Sequence, residues 1–281
     1  MTHPSRIVGL APVGVALLAL MAGACAELPS SPTAPSPVLS RGAVPQAGTP
    51  PAVPVPGQPA ALGATHYLAF GDSITYGTTS SFDGAFLFAP QPGAAYSNNL
   101  DGILESNYPT QDFTVDNEGS PGEWATQAVS SGRFATAMAV ARPQGLLLLE
   151  GINDLNNSVS ISATVNALSQ MIAIARVYNT TVLVATMFQT CVSTSPTGVV
   201  RDNAADKIVA FNAAVRSMAA GRQNVYVVDL YPAFGNNCGP DGGIGLLGGD
   251  GLHPSASGYT VMASTFANAI ASAFAVRGSY E

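Results

Sequence analysis

At 281 residues, with 47% apolar and only 10% charged side chains, the chain carries material for one large core and is not disordered as a whole. Its formal net charge of -7 sets 17 acids against ten Lys and Arg, and no short window gathers enough bases to grip a phosphate backbone, which excludes nucleic acid as a partner. Diffuse acidity ordinarily serves solubility and selects no substrate.

Residues 1–6 supply one positive side chain, and the apolar run at 7–22 leads into Ala22-Gly23-Ala24-Cys25. This pattern predicts a signal peptide over residues 1–24, since a permanent span needs ~20 apolar residues and this run is rich in Gly, Ala and Pro. Small residues followed at once by Cys25 resemble a bacterial lipobox, in which the cysteine is lipidated and anchors the mature protein to a membrane. Cleavage at an Ala-x-Ala site there would release a soluble protein instead. Both routes predict export.

Residues 25–64 are mostly Pro, Ala, Ser, Gly and Val with almost no charge, with ten prolines between Pro29 and Pro59, and are expected to form an extended tether at ~3.1 Å per residue. The folded domain is expected over 65–281. Strands are predicted at 66–71, 112–116, 145–150, 181–186 and 225–229, alternating with helices at 96–107, 123–141, 159–178, 202–220 and 255–276. Leu146-Leu147-Leu148-Leu149 and Val182-Leu183-Val184 are continuous apolar runs, as strands buried on both faces require. The alternation predicts an α/β fold with a parallel sheet between two helical layers.

In such sheets chemistry gathers beyond the carboxyl ends of the strands. There the sequence reads Gly71-Asp72-Ser73, then Asn117 to Gly122, then Gly151-Ile152-Asn153-Asp154, with Asp250-Gly251-Leu252-His253 in the last loop. Of three histidines, His3 falls in the leader and His66 opens the first strand, leaving His253 as the candidate base. Asp250, three residues earlier, is placed to orient its imidazole. Ser73 follows the first strand, where a serine ordinarily caps a helix, but where helical N–H groups also help hold an oxyanion. Gly122 offers an unobstructed N–H and Asn153 an amide NH₂, so with the Ser73 N–H they form a candidate oxyanion hole.

Four blocks carry a family resemblance: Phe70-Gly-Asp-Ser-Ile-Thr-Tyr-Gly77, Asn117-x-Gly-x-x-Gly122, Gly151-x-Asn-Asp154 and Asp250-x-x-His-Pro254. In order and spacing they resemble those of the SGNH (GDSL) hydrolases. The resemblance implies a three-layer, flavodoxin-like α/β/α sandwich of about five mostly parallel strands. It also implies ester hydrolysis without a cofactor, with Ser73 as nucleophile, Asp250 and His253 completing a triad, and Ser73, Gly122 and Asn153 as oxyanion donors. Short-chain or carbohydrate O-acyl esters are the expected substrates. A lipase or lysophospholipase, or a non-catalytic surface-binding lipoprotein that kept the fold, are the alternatives.

The chain departs from the commonest family pattern at Trp124 and in an extra segment around 80–95. Phe82, Phe86 and Phe88 in that segment are expected to wall the acyl pocket, and Asp154 to contact substrate. Cys191 and Cys238, the pair left once Cys25 is lipidated or removed, are expected to form a disulfide in an oxidising compartment. Gly243-Ile-Gly-Leu-Leu-Gly248 fits a dinucleotide fingerprint in letters only, lacking a leading strand and a following βαβ unit. No metal site is expected, because Asp250 and His253 lack further ligands at suitable spacing. A monomer is expected.

Overall fold

The computed structural model describes residues 61–80, 89–90, 95–191, 206–235 and 245–276. Its core is β1 (His66–Gly71), paired in parallel with β4 (Thr114–Gly119) on one side and β5 (Gly145–Leu149) on the other. Then come β6 (Thr181–Ala185) and β7 (Val225–Val228), giving the order β4-β1-β5-β6-β7, all parallel. A separate antiparallel pair joins β2 (Thr78–Thr79) to β3 (Ala89–Pro90).

The three central strands are buried along nearly their whole length, because helices cover both faces. The chain packs α2 (Tyr96–Asn107) and α9 (Ala256–Phe274) together on one face, with the Tyr96 and Phe266 rings stacked 4.9 Å apart. On the other lie α3 (Ala125–Ser130), α4 (Arg133–Ala141), α6 (Ile161–Val177) and α7 (Ile208–Ala219). This is the three-layer α/β/α sandwich. Three short helices, α1 (Ser73–Tyr76), α5 (Ile152–Asn156) and α8 (Leu230–Phe234), begin just past strand ends.

The structure corrects several predicted boundaries. The helix predicted over 123–141 is two helices, broken where Gly132 takes a left-handed φ of 78° as the N-cap of α4. β4 runs to Gly119 rather than stopping at 116, because its polar residues belong to a largely exposed edge strand. The tether ends before residue 64. Leu62 and Ala64 are buried, the Gly63 N–H donates to Phe274 O at 2.7 Å, and the Val276 N–H donates to Ala61 O at 3.1 Å. The predicted leader, Cys25 and the tether up to residue 60 lie outside the described residues, as do Phe82, Phe86, Phe88 and Cys238.

Candidate active site

The turn after β1 sets the geometry of Ser73. A Cβ on Gly71 would lie 2.2 Å from Leu149 O and 2.2 Å from Thr75 Oγ1, so only glycine lets β1 run against β5 and turn at once into α1. Capping falls to Asp72, whose Oδ1 accepts the Ile74 N–H at 2.8 Å. The Ser73 hydroxyl is thereby free for other work. Its Oγ lies 2.8 Å from His253 Nε2, across 180 residues of sequence. The Ser73 N–H stands in the first turn of α1, where no intrahelical acceptor exists.

Asp250 and His253 share one tight loop. The Gly248 N–H donates to His253 O at 2.8 Å and the Ser255 N–H to Leu246 O at 2.9 Å, while Leu247 bridges Pro254. Asp250 Oδ1 accepts the N–H groups of Leu252 and His253, both at 3.0 Å, and Oδ2 lies 2.6 Å from His253 Nδ1. Facing a carboxylate, Nδ1 carries the proton, which leaves Nε2 to accept from the Ser73 hydroxyl. Burial alone would raise the Asp250 carboxyl, but the hydrogen bond and charge of His253 and the two backbone donors hold it below the usual carboxylate range.

Two neighbours clamp this loop, and neither contact left a trace in the sequence. Ser80 Oγ accepts the Asp250 N–H at 3.0 Å, and a Cβ on Gly248 would fall 2.4 Å from that oxygen and 2.7 Å from Ser80 O. The Cys191 N–H donates to Gly251 O at 2.7 Å, and Gly251, with φ of 69°, has room for no side chain against Cys191. The glycines here serve close backbone approach.

The three candidate oxyanion donors stand at the start of α1, in the turn after β4 and in α5, segments that hydrogen bonds tie together. Asn153 Nδ2 donates to the carbonyl of Glu123, the residue after Gly122, at 2.8 Å, and to Oδ2 of Asp72, the residue before Ser73, at 3.3 Å. Gly122 is exposed, takes a φ of 80°, and would have nothing within 4 Å of an added Cβ. Its turn is pinned on either side, by the Ser120 N–H on Gly71 O at 2.8 Å and the Glu123 N–H on Ser120 O at 3.1 Å.

Asp154 does not face this space, which corrects its expected role as a substrate contact. Its side chain is fully buried and takes the Ala125 N–H at 2.7 Å, the Thr126 N–H at 3.2 Å and the Thr126 hydroxyl at 2.7 Å. Trp124, at the N-cap of α3, makes no side-chain cap, so Asp154 caps that helix from α5.

Behind the nucleophile sit two further buried acids. Burial pushes the Asp72 carboxyl up to about 7, helped by Asp154 and Glu123 and opposed by the Ile74 N–H and His253. Burial, then the charges of Asp72, Glu123 and Asp154, hold Glu150 well above the carboxylate range. Its Oε2 accepts the Gly151 N–H at 3.1 Å, and Oε1 has no partner among the described residues. Among the described residues, no group of three or more His, Cys, Asp or Glu side chains could hold a metal ion.

Residues 69–261 match the model of the GDSL-like lipase/acylhydrolase family. No curated protein matches the sequence. The fold is similar to that of a family 3 carbohydrate esterase from Clostridium thermocellum, at 22% identity and a TM-score of 0.55 over 75% of this chain and 100% of that one. It is similar too to an acetylxylan esterase from Geobacillus stearothermophilus, at 20% identity and a TM-score of 0.56 over 74% of this chain and 95% of that one.

Proposed function

Because the chain belongs to the GDSL-like lipase/acylhydrolase family and is a carboxylic ester hydrolase, we propose that it cleaves its ester through a Ser73 acyl-enzyme. The observation that carries this reading is the buried relay from Ser73 Oγ to His253 Nε2 at 2.8 Å and from His253 Nδ1 to Asp250 Oδ2 at 2.6 Å. As Oγ bonds to the ester carbonyl carbon, its proton passes to Nε2 and Asp250 steadies the resulting imidazolium. The carbonyl oxygen gains the negative charge and faces the Ser73 N–H, the Gly122 N–H and the Asn153 N–H that otherwise rests on Asp72 Oδ2 at the longer 3.3 Å. Collapse breaks the bond to the alcohol, which leaves with the proton from His253. Water then repeats both steps, releasing the acid and restoring Ser73.

Short-chain or carbohydrate O-acyl esters are the proposed substrates. The likeness to two carbohydrate esterases supports that choice, and so does the export expected from the N-terminal sequence, which would bring the protein to where acylated polymers are met. Phe82, Phe86 and Phe88 are proposed to line the acyl side, on the strength of the sequence alone. Every group invoked lies on one chain, so a monomer is the proposed active form. Export with lipid attached at Cys25 is proposed from the leader, and palmitate labelling that survives Cys25→Ser would refute it.

The test of the mechanism is Ser73→Ala in the full-length chain. It should lower kcat on p-nitrophenyl acetate by at least ~10³-fold with an unchanged melting temperature, since the nucleophile itself is gone. Turnover near wild type would remove Ser73 from the reaction.

A further inference from the structure

Arg133, at the start of α4, reaches across to the oxyanion side of the site. Its Nε lies 2.7 and 2.8 Å from the two carboxylate oxygens of Glu123, and its Nη2 also bonds Oε2. The Glu123 side chain is almost wholly buried. The remaining donors of the guanidinium point at Glu118 O at 3.3 Å, Glu118 Oε2 at 3.4 Å and Gly71 O at 3.5 Å. The face of the same group lies 4.1 Å from the centroid of the Phe70 ring. One planar cation therefore ties the ends of β1 and β4 to the residue that follows Gly122.

Gly122 is exposed and has no side chain to anchor it, so the direction of its N–H is set by its neighbours in the turn. On one side that neighbour is Glu123, held by Arg133. The same residue's carbonyl orients the Asn153 amide at 2.8 Å. Two of the three donors thus depend on where the Glu123 peptide sits. We propose that Glu123 and Arg133 are positioning residues of the oxyanion hole, an ion pair that aims the Gly122 N–H and the Asn153 amide without touching the substrate. The inference rests on the esterase reading of the site given above.

An ion pair with one partner buried is weak evidence for added stability, and the best-attested use of such pairs is to fix one arrangement among several. The fork geometry matters here, because a lysine supplies charge but neither the paired N–H groups nor the flat face over Phe70. Losing one oxyanion donor costs on the order of 10²–10³ in turnover, so misaiming two of them should cost ~10–100-fold.

The test measures kcat and KM on p-nitrophenyl acetate for full-length Glu123→Gln and Arg133→Lys, each alone and combined with Asn153→Ala, with turnover expressed per folded protein. The expected result is a kcat lower by ~10–100-fold, a KM within about twofold, and a smaller but still measurable effect of either substitution once Asn153 is already Ala, because the Gly122 N–H then remains the one donor left to misaim. If Glu123→Gln fails to fold, Arg133→Lys and its combination with Asn153→Ala decide the matter alone. A kcat within about twofold of wild type, or losses that multiply fully with that of Asn153→Ala, would overturn the proposal and leave the pair a structural brace. Both results leave the Ser73 mechanism standing if Ser73→Ala is inactive. An active Ser73→Ala would bring down the site reading and this proposal with it.

Discussion

Replacing Asp154 separates a capping role from a substrate-binding one. In Asp154→Ala the start of α3 loses three hydrogen bonds at once, two from the backbone N–H groups of Ala125 and Thr126 and one from the Thr126 hydroxyl. Bonds to a carboxylate contribute about 1.5–3 kcal/mol each, but they share one acceptor and are not additive, and each donor orphaned in a buried place costs about 1–3 kcal/mol. A loss of about 4 kcal/mol is therefore expected, or ~8–16 °C in melting temperature for a domain of this size. Asp154→Asn should cost about half as much, because one amide oxygen still accepts while the NH₂ is turned against a second donor. Urea unfolding followed by circular dichroism measures the stability, and ester kinetics on the folded fraction measures the rest. A loss below about 1 kcal/mol together with a several-fold rise in KM would refute the capping assignment and return Asp154 to the substrate.

Asp72, raised to about 7 by burial, binds more protons folded than unfolded between its unfolded value and that pH, so it costs stability progressively as pH rises through the window and in full above it. Asp72→Asn, which keeps an oxygen for the Ile74 N–H, should flatten the fall in melting temperature between pH 5 and 8, and an unaltered slope would mean another group carries it. Cys191 and Cys238 should appear as one linked peptide in unreduced digests of exported protein, and two free thiols would remove the bridge.

How much was legible in the sequence depended on where each residue finds its partners. β1, β5 and β6 read as strands because burial on both faces leaves an unbroken apolar run, whereas the edge strand β4 carries Asp116, Asn117 and Glu118 in its second half, which look like a loop. The break between α3 and α4 was hidden because apolar periodicity continues across Gly132. Ser73, Asp250 and His253 were legible because their loops hold residue types that no turn demands. Asp154 was misread because an acid at a strand end can turn outward to a ligand or inward to a helix start, and only the packing of α3 against α5 decides which. Ser80 meets Asp250 across 170 residues, and Arg133 meets Glu123 only after a helix break, so neither pairing leaves a local trace.

The bridge between Leu62 and Ala275, reinforced by Gly63 on Phe274 and Val276 on Ala61, brings both ends of the described domain to one place. That place is the pole where the strands begin, while Ser73 lies past the pole where they end, and the six residues of β1 alone set the two about 20 Å apart. Whatever is fused to either end, a resin or a second module, therefore joins on the side opposite the nucleophile. A peptide linking residue 276 back to 61 would close the circle without crossing the mouth, so new ends could be cut elsewhere in a circularly permuted enzyme that still hydrolyses its ester.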